Sequence, residues 1–144
     1  MTNEEKKQWL SQYQKYLIKI KTYQRQIEEL ETLASGGAIK LKEVVISPTN
    51  NSYDPVSENG VKAGDIITKL EAEIIIAMNH MVNVIYSING LDDDYERLIL
   101  TMKYINGVNQ QDLETEMDMS ESSIKRLLNS AIEHLEIKER IDNG

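Results

Sequence analysis

The side chains best suited to chemistry follow Ser120, in a segment whose apolar residues repeat at helical spacing. Polar and basic residues are available there for an outward face: Glu121, Ser122, Ser123, Lys125, Arg126 and Asn129. Side chains of these types reach base edges and phosphates in a major groove. The planar fork of Arg126 suits a bidentate contact with guanine, whereas Lys125 would meet a phosphate as a point charge. An ordinary solvated face on a helical hairpin is the alternative interpretation.

Two helices joined by a short turn would present that face. Residues 110–117 form the first helix, and Ser120 stands where the N-cap of the second helix belongs. Between them, Asp118 occupies a position that favours a left-handed or turn conformation, which Asp tolerates better than most residues other than glycine. Apolar residues at fixed offsets would lock the helices at a steep angle: Leu113, Met117, Met119, Ile124 and Leu127. The pattern is a helix-turn-helix candidate.

A third helix is predicted immediately upstream, over residues 91–107. Its acidic start suits the positive end of the helix dipole, and Asn106-Gly107 is typical of a helix end. Arg97 and Lys103 lie in this helix and could contact phosphates of the same DNA. We therefore predict that residues 91–144 form a DNA-binding domain.

Four runs in this region, residues 95–100, 103–107, 111–113 and 119–126, carry a resemblance to a known family. Together they resemble region 4 of sigma-70-type factors. The layout of the whole chain is similar to that of small phage-encoded transcriptional regulators of the ArpU/RinA type. The resemblance implies a helical N-terminal part, a variable linker and a sigma-region-4-like domain acting at phage or prophage promoters, with host RNA polymerase as a further partner. Glu114 and Asp118 depart from the family pattern, which usually has Ala and Gly there.

Composition excludes several kinds of site. The 144 residues include no cysteine, so disulfides and thiolate metal sites are ruled out. The two histidines, His80 and His134, are far apart in sequence and are expected to be ordinary helix residues. Because the sequence has no nucleophile–base set and no phosphate-cradling glycine loop, we expect no enzyme, catalytic residue, metal or cofactor. The charged start and the lack of a long apolar run predict a cytoplasmic protein without a membrane partner.

The formal net charge of −8 is unusual for a DNA-binding protein. The second helix of the pair would be the one that reads DNA, and its own charges nearly balance. Acidic residues are frequent in the segments that precede it: Asp92, Asp93, Asp94, Glu114, Glu116 and Asp118. A DNA-binding protein that makes fewer contacts with phosphates binds DNA with lower affinity. We therefore expect weak binding to double-stranded DNA by one copy, and a homodimer that binds paired half-sites.

The N-terminal part is predicted to form two long helices with heptad seams. The first helix covers residues 1–34, with seam residues from Trp9 to Ala34, and the second covers residues 62–90, with seam residues from Ile66 to Ile88. Between them, residues 35–61 are rich in turn and breaker signals and are predicted to be a linker, with a short extended segment as an option at 38–46. The two helices could fold back as a hairpin or pair between chains as a coiled coil.

The first helix has a basic stretch, because residues 6–25 include six basic residues and no acidic one. The simpler interpretation is a solvated face that balances the acidic remainder of the chain. A surface that faces phosphates or acidic groups is the alternative.

The predicted fold is all-α, with long N-terminal heptad helices and a C-terminal sigma-region-4-like helix-turn-helix domain. The predicted function is sequence-specific DNA binding by a transcriptional regulator. One alternative is a helical interaction module that docks on RNA polymerase. Another is a phage packaging-type helix-turn-helix subunit without base-specific readout.

Overall fold

The computed structural model describes residues 1–35 and 55–139, and all regular structure in them is helical. The prediction of an all-α fold with a long N-terminal helix is confirmed for these residues. The short extended segment considered for residues 38–46 lies outside the described residues. In chain order the elements are α1 (Asn3–Ser35), α2 (Pro55–Ile88), α3 (Asp94–Leu100), a π-helical turn (Thr101–Ile105), α4 (Gln110–Met117) and α5 (Glu121–His134).

Helices α2 and α3 begin at different residues from those predicted. Helix α2 begins at Pro55 and so extends into the predicted linker. Proline suits a first helical turn because its φ is already helical and its missing N–H would have no partner there. Helix α3 begins after Asp93, whose carboxylate accepts the N–H of Glu96 at 2.9 Å. Leu91, predicted to open this helix, is instead buried in the core.

The π-helical turn continues α3 and was not predicted. Its last hydrogen bond runs from the N–H of Asn106 to the carbonyl of Thr101, five residues back, at 2.9 Å. Gly107 then has a φ of +71°, which ends the helical segment at the predicted Asn-Gly pair. The side-chain amide of Gln14 on α1 donates to the carbonyls of Tyr104 and Ile105 at 3.2 and 2.7 Å. These carbonyls lie where a helix end lacks partners of its own.

One compact unit combines Met1–Ile18 with the chain from Ala77 onward. Its core draws on α1, α2 and all the C-terminal helices: Trp9, Leu10, Val84, Ile88, Leu91, Ile99, Leu100, Met102, Tyr104, Leu113, Ile124, Ala131, Ile132 and Leu135. The first half of α1 therefore shares a hydrophobic core with the region predicted to bind DNA. Close packing of this kind couples the stability of the two segments.

A second compact unit comprises residues Lys19–Ile76. Its buried residues, Ile20, Ala63 and Ile74, come from α1 and α2, and an ion pair joins Lys19 to Glu73 at 3.0 Å. In the first unit, Trp9 and Tyr16 of α1 contact His80 of α2. The two long helices thus pair within the chain, as the hairpin alternative predicts.

His80 is a packing residue of the first unit. Its ring centroid lies 5.5 Å from that of Trp9 and 4.8 Å from that of Tyr16. Burial lowers the pKa of His80 below the usual histidine value, although the charge of Glu139 acts in the opposite direction. Its aromatic contacts support the expectation that His80 is an ordinary helix residue.

Candidate nucleic-acid interface

The turn between α4 and α5 is built from local caps. The side chain of Asn109 accepts the N–H of Asp112 at 2.8 Å and begins α4. Asp118 ends that helix in the left-handed conformation, with φ 53° and ψ 51°, as its position in the sequence predicted. Ser120 then caps α5 by accepting the N–H of Ser123 at 3.2 Å, which is the predicted N-cap contact.

Apolar residues of both helices hold the pair together. Leu113 of α4 and Ile124 of α5 are fully buried in the same core. Met117, Met119 and Leu127 are partly buried against it, so all five predicted locking residues take part. Since this side of α5 faces the core, its other side is exposed: Glu121, Ser122, Lys125, Arg126 and Asn129.

The exposed residues of α5 are held only by weak local contacts. Lys125 pairs with Glu121 at 3.1 Å, and both side chains are largely exposed. Arg126 donates to the hydroxyl of Ser123 at 3.4 Å, at the long end of hydrogen bonding. Exposed ion pairs of this kind contribute little stability. These cations can therefore exchange their present contacts for an anionic ligand. Ser123 is half-buried and belongs to the cap of α5.

Arg97 has a different environment from the other predicted contact residues. Its guanidinium donates to the carbonyl of Leu91 and pairs with Asp94. Both contacts are local, and they fix the start of α3 beside the loop that precedes it. The arrangement gives Arg97 a structural role at this position.

Lys103 lies beside α5. Lys103, Lys125 and Asn129 line one cavity of about 390 Å³, to which Lys7 of α1 also contributes. Lys103 additionally lies over the ring of Tyr104, with its Nζ 5.6 Å from the ring centroid. The structure thus brings together three predicted site residues, Lys103, Lys125 and Asn129. It adds Lys7, which was not predicted as a site residue.

Lys7 belongs to the basic stretch of α1, so the sequence carried a signal for it. Neighbouring Lys6 has another role, because its Nζ donates to the carbonyls of Ile132 and Glu133 at 2.9 and 3.2 Å. A cation at the C-terminal end of a helix satisfies carbonyls that lack partners and complements the helix dipole. Helix α1 therefore supports α5 directly.

A polar cluster around the buried Glu96 ties α3 to α5. Glu96 is 5% exposed and accepts hydrogen bonds from the hydroxyl of Ser130 at 2.6 Å and from Nδ1 of His134 at 2.9 Å. Because the hydroxyl donates to the carboxylate and not to the imidazole, the three groups do not form a serine–histidine–carboxylate triad. Their geometry fits a structural tie between the helices.

Two further properties concern the part of the chain that the structure describes. No group of three or more His, Cys, Asp or Glu side chains there is placed to hold a metal ion. Among these same residues, no helix combines the length and hydropathy that a membrane span requires.

Comparison with known proteins identifies one family. A family model described as "Protein of unknown function (DUF1492)" matches residues 33–136, which is well over half of the chain and includes α3, α4 and α5. No curated protein and no solved structure matches the chain.

Proposed function

We propose that this chain, which belongs to the DUF1492 family, is a transcriptional regulator that binds double-stranded DNA in a sequence-specific manner. Helix α5 would enter the major groove, and α4 would support it from outside the groove, as in other helix-turn-helix proteins. The resemblance to sigma-70 region 4 and to ArpU/RinA-type regulators favours phage or prophage promoters as the targets. The proposed activity involves no catalysis and no cofactor.

The observation that carries this proposal is the division of α5 into two faces. Ile124 is fully buried, while Lys125, Arg126 and Asn129 extend from the exposed side. A recognition helix needs this arrangement, because its base-reading side chains must reach beyond the surface of the domain. The proximity of Lys103 to Lys125 adds positive charge beside that face.

Arg126 and Lys125 should have separable effects on DNA binding. Arg126→Ala is expected to relax sequence preference and to cost ~1–3 kcal/mol on a specific site. Lys125→Ala should weaken binding to specific and random DNA alike and make the salt dependence shallower by ~1 unit. Fluorescence anisotropy at low and moderate salt measures both, using a site selected by the protein from random-sequence DNA.

Both variants should melt like the wild type, because both side chains are exposed. Equal affinity of the wild type and both variants for every DNA tested would contradict base readout by α5.

We propose a second copy of this chain as its protein partner. Met78, Val82 and Ile85 are exposed on α2 at alternating spacings of four and three, the spacing of a coiled-coil seam. No Asp, Glu, Lys or Arg occurs from Ile74 to Ile88. This face therefore lacks the charges that usually keep an exposed helix face solvated. Dimerisation would also give the two recognition helices that paired half-sites require.

A negative charge on this face of α2 is expected to separate the two copies of the proposed dimer. Met78→Glu combined with Val82→Glu is expected to convert a dimer into a monomer, because pairing would bury carboxylates without partners. Light scattering with size-exclusion chromatography measures the mass. Lys69→Glu, which places a carboxylate on another side of α2, is the matched control and should leave the dimer intact. A wild-type protein of monomer mass at tens of micromolar would contradict the proposal.

Docking on RNA polymerase is a second candidate function. Tyr95 and Leu98 on α3 are 63% and 46% exposed, which is unusual for large apolar side chains and favours a protein contact. The DNA-binding measurements made with and without RNA polymerase separate the candidates. If docking is the function, Tyr95→Ser with Leu98→Ser should abolish polymerase binding, and Arg126→Ala should have no effect.

A further inference from the structure

We propose that Lys7, Lys103 and Lys125 form a clamp for a phosphate of the DNA backbone, so that α1 belongs to the DNA interface. The inference rests on the proposed function and adds to it a site outside the helix pair. It also assigns a role to part of the basic stretch in α1, which the helix-turn-helix pattern leaves unexplained.

The geometry of the clamp comes from three separate elements. Lys7 lies on α1, Lys103 in the π-helical turn and Lys125 on α5, and all three line one cavity of about 390 Å³ together with Asn129. The remaining lining residues are largely apolar: Tyr104, Leu128 and Ile132. Lys7 and Lys103 are 96 positions apart in sequence, and the shared core holds both of them at the same opening.

A neighbouring cavity extends this surface along α1. It has a volume of about 460 Å³ and shares Lys7, Lys103 and Tyr104 with the first. Its other lining residues are Ser11, Gln14 and Val108, which add a hydroxyl, an amide and an apolar side chain. The hydroxyl of Ser11 donates to the carbonyl of Lys7, and the amide of Gln14 donates to those of Tyr104 and Ile105, so the groups of this cavity that would contact an anion are its two lysines.

The charges of the two cavities favour an anion. Their lining includes three lysines and no carboxylate, although the chain as a whole has a net charge of −8. The lysines that line one opening carry like charges that repel one another, and an anion bound between them reduces that repulsion. The pairs Lys7–Glu4 at 3.5 Å and Lys125–Glu121 at 3.1 Å are weak surface contacts that an anion can replace.

A backbone phosphate is the anion that fits this position. Lysine binds phosphate as a point charge, and the Asn129 amide can donate to a phosphate oxygen. Lys125 and Asn129 lie one helical turn apart on α5. A recognition helix in the major groove has phosphate backbone on either side. The cavity would hold one of these phosphates while Arg126 contacts bases.

Lys7→Ala tests the clamp, with Lys15→Ala as a matched control. Both remove one lysine from the first half of α1, but Lys15 does not line either cavity. We expect Lys7→Ala to lower the affinity for specific and random DNA alike, on the order of eightfold at 0.1 M salt, and to make the salt dependence shallower by ~0.9 unit. Lys15→Ala should change neither quantity by as much as half of that. Lys7→Arg should retain most of the affinity.

The outcomes distinguish this inference from the proposed function. If Arg126→Ala loses specific affinity while Lys7→Ala binds like the wild type, the clamp is overturned and the proposed function stands. Equal losses in Lys7→Ala and Lys15→Ala would also overturn the clamp, because they would reflect general charge alone. If the wild type binds no DNA, both are overturned. Matching melting curves for Lys7→Ala and wild type exclude unfolding as the cause of a loss.

Discussion

Leu10→Ala is expected to lower the free energy of unfolding by ~2–5 kcal/mol, the usual cost of removing a buried leucine side chain. Leu10 is 0% exposed and shares a core with Ile124 of α5, although the two residues are far apart in sequence. The cavity left behind should destabilise α3, α4 and α5 together with α1. Urea unfolding followed by circular dichroism measures the loss.

The matched control is Ile18→Ala. Ile18 lies on the same helix and is 64% exposed, so its replacement should change stability by no more than ~0.5 kcal/mol. An equally small effect of Leu10→Ala would mean that residues 91–139 form their own core without α1. If the protein binds DNA as proposed, binding by Leu10→Ala should decline in parallel with folding and recover under conditions that restore the native state.

Removing the hydrogen-bond partners of Glu96 is expected to cause the second large loss of stability. Ser130→Ala combined with His134→Ala leaves a carboxylate that is 5% exposed without its two side-chain partners. Breaking a fully buried charge pair costs ~3–5 kcal/mol. We expect a loss at or below the lower end of that range, because the His134 side chain is 63% exposed and a cavity of about 540 Å³ beside Glu96 and His134 can admit water. Equilibrium unfolding measures it.

Adding Glu96→Met to this double variant should restore most of the lost stability. The added change removes the stranded charge and places an apolar side chain of similar length in the core, an exchange that is often neutral or favourable. Glu133→Ala on the exposed side of α5 serves as the control and should be nearly neutral. A triple variant as unstable as the double variant, or less stable, would contradict the view that the unpaired carboxylate causes the loss.

The sequence by itself determined the features that depend on neighbouring residues. Apolar spacing predicted the helices, because burial of one face requires that period. The left-handed turn at Asp118 and the N-cap at Ser120 were predictable because each depends on contacts within a few residues. The outward face of α5 followed from the same spacing, once Ile124 and Leu127 were assigned to the inner face.

Only the tertiary structure decided which of these segments belong together. Gln14 contacts the carbonyls of Tyr104 and Ile105, and Lys6 contacts those of Ile132 and Glu133. Water would satisfy the same amide and ammonium groups in an isolated helix, so their local sequence has no signal for these partners. The position of Lys7 beside Lys103 and Lys125 has the same origin. Burial of Trp9 and Leu10 in the common core holds the first half of α1 against the C-terminal helices, and this packing places Lys6 and Lys7 beside the proposed recognition helix.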